Sequence, residues 1–187
     1  MIARRGFIAG TLAIAGYILL PEGKSHLFKV AYAKPADGFV SLVLFDDSGK
    51  KLRTARTAKV VKTDAEWRAQ LTPLQFEVAR QRGTQRAYTG DTYNLEAPGL
   101  YRCVCCRNAL FSSATKYDSG TGWPSFWAPI AQQNIRIADD NSLGSTRSEV
   151  ACVQCDGHLG HVFDDGPPPT HLRFCMNSAS LKFVKKP

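Results

Sequence analysis

A chain of 187 residues with 44% hydrophobic content can bury the core of one domain, and that composition excludes large-scale disorder. The formal charge of +8 invites a nucleic-acid reading, but Arg4, Arg5, Lys24 and Lys29 against Glu22 place a net +3 of it in the first 33 residues. The +5 that remains is ordinary for a soluble domain, and the Lys50-Lys51 and Lys185-Lys186 pairs read as solvated surface, so no nucleic-acid partner is expected.

Arg4-Arg5-Gly6-Phe7-Ile8 opens an apolar stretch, Gly6 to Leu20, that is too short to span a bilayer comfortably. Residues 1–33 therefore read as an export signal similar to the twin-arginine type, which carries folded cargo, with Ala31-Tyr32-Ala33 as a cleavage site. The expected location is the periplasm. An uncleaved membrane anchor is the alternative, because the cleavage site lies far beyond the apolar run. Residues 34–187 are expected to form a single domain. Phe39 to Phe45 reads as a strand entering the Asp46-Asp47-Ser48-Gly49 turn, with a partner strand reaching about Val61. Thr63 with Glu66 forms a capping box for a short helix through Trp67 to Leu71. Thr72 with Gln75 repeats the pattern with Pro73 at the first helical position, Leu74 and Val78 as its apolar stripe, and Gly83 as its stop. From Leu100 onward short apolar runs alternate with turn residues, so the rest is expected to be mostly β.

Cys103 and Cys106 form one C-x-x-C and Cys152 and Cys155 a second, which together supply the four tetrahedral thiolates of a structural zinc. Each pair is followed by turn residues, Arg107-Asn108 and Asp156-Gly157. Two readings compete with zinc: a redox C-x-x-C at each pair, or two disulfides in an exported protein. A zinc held by four thiolates is itself a net −2 unit.

Cys175 stands apart, in Leu172-Arg173-Phe174-Cys175-Met176-Asn177. This alternating run reads as a half-buried strand with Arg173, Cys175 and Asn177 on one face. The Arg173 guanidinium would favour the thiolate, which is the reactive form. Arg173 also has a plainer role, as a salt bridge to Asp165 or Asp164, and a paired arginine stays charged.

Trp67 with Leu71-Thr72-Pro73, Ser119-Gly120-Thr121-Gly122-Trp123-Pro124-Ser125-Phe126, Gly157-His158-Leu159-Gly160-His161-Val162-Phe163 and Arg173-Phe174-Cys175-Met176-Asn177-Ser178-Ala179 resemble the methionine-R-sulfoxide reductase B family, in its zinc-containing form. The similarity spans about Val60 to Val184. It implies a mainly β fold, in which twisted antiparallel sheets form a small barrel-like domain with short N-terminal flanking helices and a structural zinc site. It also implies Cys175 as the nucleophile that reduces the R epimer of methionine sulfoxide, free or within proteins. A thiolate can attack a sulfoxide sulfur only if the departing oxygen is protonated, so an acid must stand near. His161 is the expected acid and His158 its site-shaping partner, with Asp165 orienting an imidazole. Trp123 suits the substrate methyl group, and Asn177 is placed to hydrogen-bond the sulfoxide oxygen or hold a histidine.

This chain departs from the family at Thr121, where many members have a resolving cysteine. Cys175 would therefore leave turnover as a sulfenic acid that needs a thiol from elsewhere. An external reductant such as a thioredoxin-like protein is expected, with Cys105 as the internal alternative. Asp164 stands where proline is common, beside the histidines, and would raise the acid's proton affinity or simply face solvent. Two rivals to the reductase are a zinc-ribbon binding module with Cys175 as core, and a peroxide-reactive thiol protein.

Overall fold

The computed structural model describes residues 38–187 except 143 and 145, so the proposed export signal lies outside the described residues. The chain opens with the expected hairpin, β1 (Phe39–Phe45) and β2 (Lys51–Ala58), the latter ending three residues before Val61. The Asp46 carboxylate closes its turn by accepting from the Ser48 and Lys50 amides, as turn-forming aspartates do. Val40 and Leu42 on β1 pack with Val153 in a small core of their own.

Both helices form where the caps place them: α1 (Asp64–Gln70) and α2 (Pro73–Gln81) each begin with a complete capping box, from Thr63/Glu66 and Thr72/Gln75. The stripe on α2 differs from expectation. Leu74 is exposed, while Phe76, Val78 and Ala79 are buried, because Phe76 and Ala79 face the central cluster around Trp67. The helix ends at Gln81, two residues before Gly83, with its cap Arg82 in the left-handed conformation at φ 60°.

The remainder is β, all of it antiparallel. A three-stranded sheet orders β11 (Leu181–Lys185), β3 (Gly99–Cys103) and β4 (Ala109–Ser112). A six-stranded sheet runs β5 (Lys116–Tyr117), β6 (Ser125–Phe126), β10 (Arg173–Met176), β9 (His158–Phe163), β8 (Arg147–Cys152) and β7 (Ile135–Asp140). The expected mainly β architecture is thus built from open sheets that share one core. Aromatic rings join them: Phe111 of β4 stacks on Phe126 of β6 at 4.5 Å, Tyr101 of β3 meets Phe126 edge-on at 4.9 Å, and Phe111 also touches Phe174 of β10. The apolar side of the Cys175 strand therefore rests on the other sheet. Among the described residues no helix is long and apolar enough to cross a membrane.

Asn134 fastens the hairpin to this body. Fully buried, it accepts from the Val43 amide at 2.9 Å and donates to the carbonyls of Val43 and Ala109, both at 2.8 Å. Asn134→Ala would strand all three backbone groups, and buried unpaired polar groups cost about 1–3 kcal/mol each before relaxation. The expected loss is about 3 kcal/mol of unfolding free energy, measured as a lower urea midpoint. An unchanged midpoint would show that the hairpin is held by packing alone.

Candidate active site and metal centre

The two C-x-x-C pairs fold into matching knuckles. At the first, the Arg107 amide bonds back to the Cys103 carbonyl and the Cys103 amide bonds to the Asn108 carbonyl. At the second, Asp156 and Cys152 repeat the first bond and Cys152 and Gly157 the second, all at 2.8 to 2.9 Å. Arg107 and Asp156 each take a positive φ, 67° and 56°, so the turn residues after each pair serve one geometric purpose. The knuckles bring all four Sγ atoms within 4.8 Å of one another, with Cys103 and Cys155 at 3.6 Å and Cys106 and Cys152 at 3.5 Å. Tetrahedral zinc with bonds near 2.3 Å requires about 3.8 Å between sulfurs, whereas a disulfide requires about 2.05 Å. The four thiols fit zinc, and Asn108 adds an amide directed at Cys152 Sγ at 3.6 Å.

Because β9 starts at the second knuckle, the metal site also fixes the registry of the strand that carries the histidines. Residues directly opposite one another in an antiparallel sheet share a face. Cys175 lies opposite His161 on one side and Ser125 on the other, His161 lies opposite Glu149, and Ser125 opposite Tyr117. One row across five strands thus reads Tyr117, Ser125, Cys175, His161, Glu149.

His158 and His161 are an odd number of residues apart, so a regular strand would put them on opposite faces. A bulge prevents that: Gly160 pairs with Val150 and His158 with Ala151, so β9 spends two residues against one of β8. Both rings then face the same way, 5.4 Å apart. Gly160 is required at this bulge because a Cβ there would lie 2.1 Å from the Cys175 carbonyl oxygen.

Each imidazole meets a carboxylate, though neither is Asp165. His161 Nε2 bonds Asp140 Oδ2 at 2.8 Å, and His158 Nδ1 bonds Glu149 Oε1 at 2.8 Å. Arg147 and Arg82 complete these pairs at 2.7 Å each. Burial pushes His161 below the ordinary histidine range, and Asp140 offsets only part of that. Burial pushes Glu149 up, but the His158 hydrogen bond and the Arg82 charge together hold it below its ordinary value. The other nitrogen of His158, Nε2, is buried with no partner in the protein.

Asp165 instead forms a two-pronged ion pair with Arg173, at 2.8 and 2.7 Å, and the guanidinium lies over the Phe163 ring. This corrects the expectation that Asp165 orients a histidine, and it limits what Arg173 does for Cys175. Burial pushes the Cys175 thiol above its ordinary value, and the hydrogen bonds from Thr121, Ser125 and Arg173 and the Arg173 charge recover only part of the shift. Asp164 is exposed.

Asn177 also differs from expectation. It is 5% exposed, and its Oδ1 accepts from the Gln85 amide while its Nδ2 donates to the Leu159 carbonyl, so it turns from the substrate side into the backbone. Its influence reaches the site through Gln85, whose carbonyl accepts from Trp123 Nε1 at 2.9 Å. Gln85 lies in an irregular stretch with no periodic signal, and only its contacts reveal it. Glu149 and Asp140 were likewise missed, although both stand in alternating strands that could have been searched for residues facing the histidines.

Thr121 sits where many of the proteins that the sequence resembles place a cysteine, and its hydroxyl is 3.9 Å from Cys175 Sγ. Ser119 bridges Thr121 and Ser125 at 2.8 and 2.7 Å, so hydroxyls line that flank of the thiol. Cys105 is elsewhere: it is 4% exposed, and a Cβ on Gly157 would lie 3.4 Å from its sulfur and 3.3 Å from that of Cys155. Cys105 therefore sits at the second knuckle, with three residues of β9 between Gly157 and His161, the partner of Cys175 across the ladder.

A zinc-braced β domain presenting one thiol beside two carboxylate-paired histidines is a thiol-dependent enzyme in class. Residues 71–185 match the SelR domain, more than half of the chain, and the chain belongs to that family. It is 55% identical over 125 residues to the peptide methionine sulfoxide reductase MsrB of Hahella chejuensis, covering 67% of this chain and 90% of that one. The protein of the same name from Thiobacillus denitrificans is 54% identical over 125 residues, covering 67% and 95%. That from Synechococcus sp. is 52% identical over 124 residues, covering 66% and 91%. The β1–β2 hairpin lies before the matched domain.

Since site formation and folding are coupled in structural zinc sites, elemental analysis should find a single zinc in the folded chain. Its removal by a strong chelator at neutral pH should abolish cooperative unfolding, and Cys152→Ser should do the same. Equal thermal stability with and without metal would end the structural assignment.

Proposed function

We propose that this chain reduces methionine R-sulfoxide, free or in polypeptides, to methionine at the expense of an external thiol. The observation that carries the reading is Cys175 directly opposite His161 in the β9–β10 ladder, in a chain of this family. Cys175 Sγ attacks the sulfoxide sulfur as a proton reaches the sulfoxide oxygen. The protonated oxygen then passes as hydroxyl from the substrate sulfur to Cys175 Sγ while the sulfur–sulfur bond just formed breaks, so methionine departs and Cys175 is left as a sulfenic acid. Two equivalents of external thiol then return Cys175 to the thiol, releasing water and a disulfide.

His161 acts as the acid. Asp140 occupies its Nε2, which leaves Nδ1 to move the proton. His158 Nε2, buried without a partner, gains one when the sulfoxide oxygen arrives. Trp123, anchored through Gln85 and Asn177, presents its ring to the substrate methyl group and excludes water. Cys103, Cys106, Cys152 and Cys155 would hold the zinc, which braces the fold and supplies no reaction chemistry. The support for an external reductant is that Thr121 cannot form a disulfide and Cys105 is packed against the metal site. A thioredoxin-like dithiol protein has the required chemistry. The Arg4-Arg5 pair ahead of its apolar stretch supports export to the periplasm by the twin-arginine route.

With dithiothreitol and each epimer of a blocked methionine sulfoxide, only the R epimer should yield methionine, and Cys175→Ser should yield none. Product from both epimers, or from the variant, would refute the assignment.

The pH dependence carries a distinct signature. The reacting pair, thiolate with imidazolium, holds the same number of protons as the resting pair, thiol with neutral imidazole. Activity should therefore rise as pH climbs through the His161 value, which burial lowers, and fall only as pH passes the Cys175 value, which burial raises, when the thiol ionises and the pair loses its last proton. A plot of kcat/KM against pH should be flat between these limits. In His161→Gln the lower limb should vanish, with a rate loss of about 10²–10⁴-fold. A persisting lower limb would assign the acid to another group.

A further inference from the structure

Beyond the row that carries Cys175, a cavity of about 330 Å³ opens beside the Gly120–Trp123 loop. Its walls include the rings of Tyr88, Tyr93 and Tyr117, the carboxylates of Glu96 and Asp118, and Lys116. Tyr88 and Tyr93 meet edge-on at 5.7 Å, and Tyr88 is 60% exposed. Tyr88 is also bound to the site loop: its amide donates to the Gly122 carbonyl and its hydroxyl to the Gly120 carbonyl. One wall of the cavity is therefore the loop that places Thr121 against Cys175.

Tyr117, which lines the cavity, ties it to the row of Cys175. It lies in the same cross-strand row as Cys175, two strands away, which is about 9–10 Å at ordinary strand spacing. An extended polypeptide covers that distance in two to three residues. A chain with its oxidised methionine over Cys175 can thus lay a nearby side chain in this cavity.

The lining selects that side chain. Lys116 is half-buried and donates its Nζ to the Tyr93 carbonyl at 2.8 Å, so its charge is already engaged. Two carboxylates against this one ammonium leave a net negative charge framed by aromatic faces, a combination that attracts a cation. We propose that this cavity is a subsite for an arginine or lysine side chain two or three residues from the oxidised methionine in a polypeptide substrate. The inference rests on the reductase reading and makes it specific, because the enzyme would favour oxidised methionines with basic neighbours.

The test uses the full chain with dithiothreitol and blocked peptides containing one methionine sulfoxide, with arginine, alanine or glutamate at the second or third position on either side. At low salt the arginine peptide should exceed the glutamate peptide in kcat/KM by about five- to tenfold for at least one placement, as expected of a partly exposed cation–aromatic and ion-pair contact. That ratio should shrink as salt rises. In Glu96→Lys it should fall to one or invert, and because the readout is a ratio, a general change in rate cancels. Equal kcat/KM for all peptides in the wild-type chain, or a ratio that survives Glu96→Lys, would overturn the subsite. Failure to reduce even a blocked methionine sulfoxide would refute the reaction itself, and the subsite with it.

Discussion

The four-thiol cluster is the constraint from which the rest of the geometry follows. Its knuckles are the β3–β4 turn of one sheet and the β8–β9 turn of the other, so a single ion would hold together two sheets that are also joined by the ring contacts among Tyr101, Phe111, Phe126 and Phe174. The hairpin that precedes the matched domain uses the same anchor. Asn134 is fixed by Asn108, which also directs its amide at Cys152, and the Val60 amide bonds to the Gln154 carbonyl within the second knuckle. Lys59 adds an ion pair to Asp156 there. Loss of the cluster would therefore release both sheets and the hairpin together.

From the second knuckle the chain goes directly into β9, and one glycine there determines the chemistry. The bulge at Gly160 rotates His158 onto the face of His161, and the missing side chain lets β10 approach closely enough to set Cys175 opposite His161. Each ring is then held by its own carboxylate and arginine, Asp140 with Arg147 and Glu149 with Arg82. Arg82 stands at the left-handed end of α2, so the helix contributes a charge to the histidine shell as well as core packing.

Chemistry carried by residue type and short spacing was legible in the sequence: both capping boxes, the paired C-x-x-C knuckles, and Cys175 in its alternating strand. Partnerships between distant segments were not. Asp165 lies four residues beyond His161 and looked like its orienter, but the turn that follows swings it onto Arg173, while Asp140 arrives from the neighbouring hairpin. Asn177 kept the alternation that placed it beside Cys175. Alternation cannot report that a buried amide will satisfy the Gln85 and Leu159 backbone before it serves a substrate. Leu74 failed for a related reason, since two helical faces were apolar and only packing against Trp67 chooses between them.

The state of Cys175 involves a competition that residue types alone decide wrongly. A neighbouring arginine argues for a thiolate, but Asp165 takes the guanidinium in two hydrogen bonds, and burial outweighs the field that remains. Burial thus favours the thiol over the thiolate in the resting site. Peroxide attack depends on thiolate, so the resting site is a poor peroxide sensor. In the proposed mechanism, reaction with a sulfoxide proceeds from the same state because the imidazolium and thiolate form together, by transfer of one proton within the pair and without net uptake from solvent. Burial thereby restrains the thiol until a substrate arrives on the face that Cys175 shares with His161. Such restraint matters here because Thr121, beside the thiol, offers no disulfide to protect an oxidised Cys175.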